Sequence, residues 1–149
     1  MNKKSFLTAS TLALAISTAT TAVYSAELEE IIVTAQKRAE SLQDVPISMS
    51  ALSGSTIKDN GIHSFQDLSG YVPNLEIAEN AVNTIITMRG IGIGSNQSFE
   101  QSVGIYVDGV HFGKSRQVRS GLFDVEQMEV LRGPQGILFG KNTLAGAIN

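Results

Sequence analysis

Residues 122–149 read LFDVEQMEVLRGPQGILFGKNTLAGAIN, and they restrict the fold more than any other stretch of the 149-residue chain. Glycines at 133, 136, 140 and 146 permit positive φ and close backbone approach. Pro134 fixes one turn and removes one donor. Such a stretch packs as irregular backbone with little room for large side chains. The residues predict a short helical turn from Asp124, a strand through Glu129-Val130-Leu131 and a turn at Arg132-Gly133-Pro134. A second tight turn is expected near Phe139-Gly140, and a last strand from Gly146-Ala147-Ile148.

The start of the chain bears on compartment. Met1-Asn2-Lys3-Lys4 is basic, and no charge follows until Glu27. Between them the sequence is apolar but rich in Ser and Thr, too polar for a membrane span and suited to a cleaved export signal over residues 1–26. Val23-Tyr24-Ser25-Ala26 offers small residues for cleavage. Removal of 1–26 takes two of the 11 basic residues and none of the 14 acidic ones, so the net charge moves from −3 to −5. A mildly acidic chain of this size holds one modest core and gives no reason to expect nucleic acid as a partner. The absence of Cys excludes disulfides and thiolate metal sites in this sequence.

Downstream, Glu29-Glu30 precede the β-branched run Ile31-Ile32-Val33, which favours extended backbone. The segment 27–44 has few other apolar residues to bury and is expected to be mobile. A short exposed β-prone segment can add to a partner's sheet edge; by residue types alone, an ordinary first strand is the better reading. Residues 45–52 alternate as a strand; Ser53 is placed to cap a short helix through Asn60, with Gly61 ending it. Ser64 and Asp67 form a capping-box variant before another short helix. Residues 75–78 and 84–89 are candidate strands, and Asp108-Gly109 between Val103-Gly104-Ile105-Tyr106-Val107 and Val110-His111-Phe112 is a hairpin signal. The expected class is α+β: a small mixed β-sheet with short helices, long Gly-rich loops and a flexible N-terminal segment.

Motifs for catalysis or cofactors fall short. After Gly90, a dinucleotide fingerprint requires glycine where Ser95 stands. A phosphate loop at GILFGKNT requires glycine at Gln135 and a hydroxyl residue at Asn142. His63 and His111 have no neighbours at metal-ligand spacing, and no nucleophile elbow or acid–base pair stands out. No metal, cofactor or enzymatic activity is expected.

The succession of features resembles the N-terminal part of TonB-dependent outer-membrane receptors. It comprises the signal, Glu30-Ile31-Ile32-Val33-Thr34-Ala35, the Val45-Pro46 strand, Met88-Arg89-Gly90, Tyr106-Val107-Asp108-Gly109-Val110, Leu131-Arg132-Gly133-Pro134 and the close on Gly146-Ala147-Ile148-Asn149. The resemblance runs from about Leu28 to Asn149. It implies a signal peptide at 1–26, a flexible segment at 27–44 holding a TonB box at 30–35, and a plug domain at 45–149 truncated at its C-terminal end. It implies TonB and a receptor β-barrel as partners, with a small-molecule substrate such as an iron–siderophore. It also implies an outer-membrane location, or a periplasmic one if the fragment exists alone. Arg89 and Arg132 match plug residues that meet carboxylates on the barrel wall. Asn80, Asn83, Asn96, Gln97, Phe99, Lys114 and Arg116 fall in loops that match the substrate-facing apices, although for any one of them a plain hydrophilic loop is the simpler role.

A barrel does not fit in the chain. About 22 strands of about 9–11 residues need roughly 200 residues or more. The expectation is therefore a fragment, a truncated product, or a plug whose pore lies elsewhere. Two other classes stay open at this point. A free periplasmic binding or adaptor domain would fold stably alone, and an exported enzyme would respond to a metal or nucleotide in its melting temperature.

Overall fold

The structure, a computed structural model, describes residues 30–34, 36–81, 83–94, 100–119 and 121–149. The expected signal at 1–26 lies outside these residues, as do Ala35, Asn96, Gln97 and Phe99.

Period-two alternation sets the main sheet. Strand β9 (Gln127–Arg132) places Met128 and Val130 on one face and Gln127, Glu129 and Leu131 on the other, and residues 128–131 are all buried. A strand covered on both faces belongs in the middle of a sheet. On one side β9 pairs antiparallel with β3 (Met49–Ser53), and on the other with β10 (Gly146–Ile148). β10 in turn runs parallel to β7 (Val103–Val107), which pairs with β8 (Val110–His111). The five-stranded order is β3-β9-β10-β7-β8. A second, antiparallel sheet joins β4 (Leu75–Glu79), β5 (Thr84–Met88) and β6 (Ile91–Gly92). A two-stranded ladder joins β1 (Ile32–Val33) and β2 (Glu40–Ser41). The class is α+β with small mixed sheets and short helices, as the sequence predicts.

The larger core gathers Leu68, Val72, Ile86, Met88, Val130 and Ile148 between the two sheets and the helical segments. On the opposite face of the main sheet, Leu131 and Ala147 pack with Met49, Tyr106 and Phe139. Gly146 lets the sheets approach. A Cβ there would overlap the Leu131 carbonyl oxygen and the Met88 sulfur, closer than real Cβ contacts come. At the hairpin tip, Asp108 (φ 50°) and Gly109 (φ 78°) both take left-handed backbone, the twist that a two-residue turn between antiparallel strands requires.

Local capping matches the sequence. Ser53 Oγ accepts the Thr56 N–H at 3.3 Å ahead of the helix Gly54–Asp59, and Gly61 follows with φ 63°. The Asp67 carboxylate accepts from the His63 and Ser64 N–H groups, each at 2.9 Å, and the Asp67 N–H reaches back to Ser64 Oγ at 3.4 Å. The turn it opens, Gln66–Gly70, is a 3-10 helix. The backbone N–H of His63, then the Ser64 hydroxyl, hold the Asp67 carboxyl below its ordinary value.

Some elements differ from the sequence reading. No helical turn starts at Asp124: this residue takes φ 52° in a bend, and the Glu126 carbonyl is held by the Gly54 N–H at 2.7 Å. A cross-chain bond thus takes the place of a local one. The strand expected from Val45 starts at Met49, since Pro46 has no N–H to give a ladder. Two short helical segments, Ser115–Arg119 and Gly136–Phe139, stand where loop or turn was expected. Four or five residues are too few to leave a periodic signature in sequence.

Candidate functional site

The described part of the N-terminal segment is docked on the main sheet. In the β1–β2 ladder Ile32 faces Ser41 and Val33 faces Glu40, and the Leu42 N–H donates to the Ile31 carbonyl at 2.9 Å. Main-chain groups alternate in direction along a strand, so those of Ile31 and Val33 address β2, and those of Ile32 and Thr34 point the other way. On that other side stand two side chains of β9. Gln127 Nε2 donates to the Ile32 carbonyl at 2.9 Å, and the Thr34 N–H donates to Glu129 Oε1. The Thr34 hydroxyl donates to the same oxygen at 3.2 Å. The Val33 side chain is fully buried, whereas Ile32, Glu30 and Thr34 are exposed.

Glu129 is 2% accessible, and among the described residues no cation lies within 4.0 Å of its carboxylate. Its donors are the two Thr34 groups, Gln127 Nε2 at 3.2 Å, and Asn149 Nδ2 at 3.2 Å on the second oxygen. A buried carboxylate is tolerable only when its oxygens are satisfied in this way. Sequence reasoning gave Glu129 and Gln127 no role. The available signal was a charge between Met128 and Val130 in a strand apolar on its other face. Beside the hairpin opens a cavity of about 490 Å³, lined by Thr34, Lys37, Arg38, Tyr106, Phe139 and Asn149 among others. Tyr106 donates its hydroxyl to the Phe139 carbonyl there, and burial raises its pKa.

The two arginines come together at one end of the core. Arg132 donates through Nε to Ser48 Oγ (3.2 Å), through one terminal nitrogen to the Pro73 carbonyl (3.4 Å) and through the other to the Met49 carbonyl (2.9 Å). Arg89 is exposed with φ 52°, and its guanidinium lies 3.6 Å from where a Cβ on Gly133 would stand. Among the described residues no carboxylate lies within 4.0 Å of either guanidinium.

The β4–β5 turn and the 3-10 helix Ser115–Arg119 meet at the other end of β5. Asn80 Oδ1 accepts the Asn83 N–H at 2.7 Å, and the Asn80 N–H donates to the Asn83 carbonyl at 2.9 Å, closing the β4–β5 turn. Arg119, the last residue of that helix, donates to the Asn80 carbonyl and, at 3.3 Å, to the Thr84 hydroxyl. Asn83 is buried, so it supports the turn from within; Asn80, Lys114 and Arg116 are exposed. Arg119 was not singled out in the sequence. Four residue steps of β5 separate Thr84 from Met88, the residue before Arg89, about 13 Å at 3.3 Å per residue.

The other sequence candidates stay structural. His111 packs against Tyr106 with ring centroids 5.1 Å apart, and His63 uses its N–H on Asp67. Among the described residues, no group of three His, Asp or Glu side chains could hold a metal ion, and no helix is long and apolar enough to cross a membrane.

Comparison with known proteins agrees with this architecture. Residues 41–147 match the family described as the TonB-dependent Receptor Plug Domain. The pesticin receptor of Yersinia pestis is 32% identical over 122 residues, covering 80% of this chain and 18% of that receptor. An iron-regulated outer membrane virulence protein of Vibrio cholerae is 30% identical over 134 residues, covering 81% of this chain and 19% of the relative. Among solved structures, the ferric yersiniabactin uptake receptor FyuA from Yersinia pestis superposes with a TM-score of 0.62 at 35% identity, covering 69% of this chain and 16% of that one. The chain spans about a fifth of the length of these relatives. It belongs to the TonB-dependent receptor plug domain family, whose named relatives are receptors rather than enzymes.

Proposed function

We propose that this plug domain closes the lumen of an outer-membrane receptor barrel, and that the intact receptor takes up a ferric siderophore or a similarly scarce nutrient using energy delivered by TonB. Support for iron comes from the relatives, one a ferric yersiniabactin uptake receptor and another iron-regulated. The proposed division is an export signal at 1–26, a detachable segment at 27–44 and the plug at 45–149.

The observation that carries this reading is the short strand of residues 30–34. It joins the body of the domain through one buried side chain and two β9 side chains, while its two-residue ladder is made with β2 inside the same 27–44 segment. So small an attachment is easily exchanged for pairing with a partner's sheet edge. Surrounding walls also have support. Ile137 is 100% exposed and Phe123 85%, and both would gain from an enclosing surface.

Arg89 is the arginine available to a barrel carboxylate, while Arg132, with three donors engaged internally, braces the strand end beside it. A desolvated Arg–carboxylate pair is costly to break singly, on the order of 3–5 kcal/mol. The pair would act as a latch. Asn80, Lys114 and Arg116, together with Asn96, Gln97 and Phe99 outside the described residues, are the proposed substrate contacts, and Asn83 holds the turn that presents Asn80. Substrate binding at that end would shift the plug and release the 30–35 segment.

The test is Ile32→Pro. Proline removes the main-chain donor and constrains φ, so pairing with TonB should be abolished. Cross-linking of the full chain to TonB is the measurement. Undiminished cross-linking of the variant would remove 30–35 as the TonB box.

A further inference from the structure

Both edges of the segment 31–34 are occupied, one by backbone and the other by side chains. β2 takes the edge presented by Ile31 and Val33. On the other edge, Gln127 and Glu129 stand two residues apart on one face of β9 and supply a donor to the Ile32 carbonyl and an acceptor to the Thr34 N–H. Those are the groups that a neighbouring strand would offer at the same places. The Gln127 and Glu129 side chains are themselves tied together at 3.2 Å, so they form a unit. The second Glu129 oxygen is anchored to Asn149, beyond β10, which fixes the carboxylate against the middle of the sheet.

We propose that Gln127 and Glu129 are a side-chain stand-in for a strand, and that they keep the plug in a self-inhibited state by filling the edge onto which TonB would add. This rests on the TonB-box reading above and extends it to the groups that withhold the box. A partner strand cannot pair with Ile32 and Thr34 while these side chains hold the same carbonyl and N–H. Access to TonB is therefore limited by how often the clasp opens. The clasp is built on the rigid central strand β9, whose far end carries Arg132. Displacement of β9 within the sheet is thus the mechanical route by which events elsewhere in the plug would open it.

The test uses the full chain with Val33→Cys as reporter. Position 33 is fully buried when the segment is docked, and the sequence contains no other cysteine. A water-soluble maleimide then reads undocking as a labelling rate. Adding Gln127→Ala and Glu129→Ala together should raise that rate on the order of tenfold or more, as loss of three hydrogen bonds, two of them to a carboxylate, implies. Without substrate, affinity for the TonB periplasmic domain should rise by a comparable factor when position 33 is Val. Glu129 is buried, so Gln127→Ala alone, at a half-buried position, serves as the milder variant with a severalfold increase expected in both readings. Unchanged labelling and unchanged affinity, with amide protection in β5 and β10 intact, overturn the clasp. Faster labelling with unchanged TonB affinity keeps the clasp as a docking device and overturns the TonB-box reading instead.

Discussion

Val33→Ala is the sharpest perturbation of the docked segment. The Val33 side chain is fully buried yet belongs to neither of the two core clusters, so its loss should act locally. Truncation removes two methyl groups, about 1.6 kcal/mol at about 0.8 kcal/mol per buried carbon. The space left behind adds to this, giving roughly 1.5–2.5 kcal/mol in all. That corresponds to about a ten- to seventyfold rise in opening of the docked segment. Hydrogen exchange followed by mass spectrometry on the full chain is the assay. Peptides spanning 30–42 should lose protection by that factor, and those spanning 127–132 and 146–148 should keep theirs. A uniform loss across the domain would mean that Val33 supports the global fold, and unchanged exchange at 30–42 would mean that its burial does not hold the segment. Either result would refute the view of residues 30–34 as a separately detachable element.

Two further outcomes test the body of the domain. Gly146→Ala should lower stability by about 1–3 kcal/mol, because the new methyl meets the Leu131 carbonyl and the Met88 sulfur at the seam between sheets; thermal denaturation measures it. Asp67 has its carboxyl pKa lowered in the fold, so its contribution is present above the unfolded value near 3.8 and is lost as pH falls through the folded value below it. Asp67→Ala should therefore cost under about 1 kcal/mol at neutral pH, with the gap to the parent chain closing below about pH 4 in a series of denaturation curves.

The sequence by itself determined what is settled within a few residues. Asp108-Gly109 specified its hairpin because left-handed backbone at both positions suits few other pairs. Ser53, Gly61 and the Ser64–Asp67 pair specified where their helical turns begin or end, since the bonds they make reach only three or four residues. The order of such local signals was sufficient to mark the family. Tertiary structure decided the rest. Thr34 and Glu129 are 95 residues apart, and alternation in β9 says that Gln127, Glu129 and Leu131 share a face without saying what covers it. Arg132 looked like a strand-end charge, and only the approach of Ser48, Met49 and Pro73 made it a brace. The bend at Asp124 follows the same rule, because the Gly54 N–H holds the Glu126 carbonyl two residues on. Short-range bonds are written in neighbouring residues, whereas the covering of a face depends on how the whole chain closes on itself.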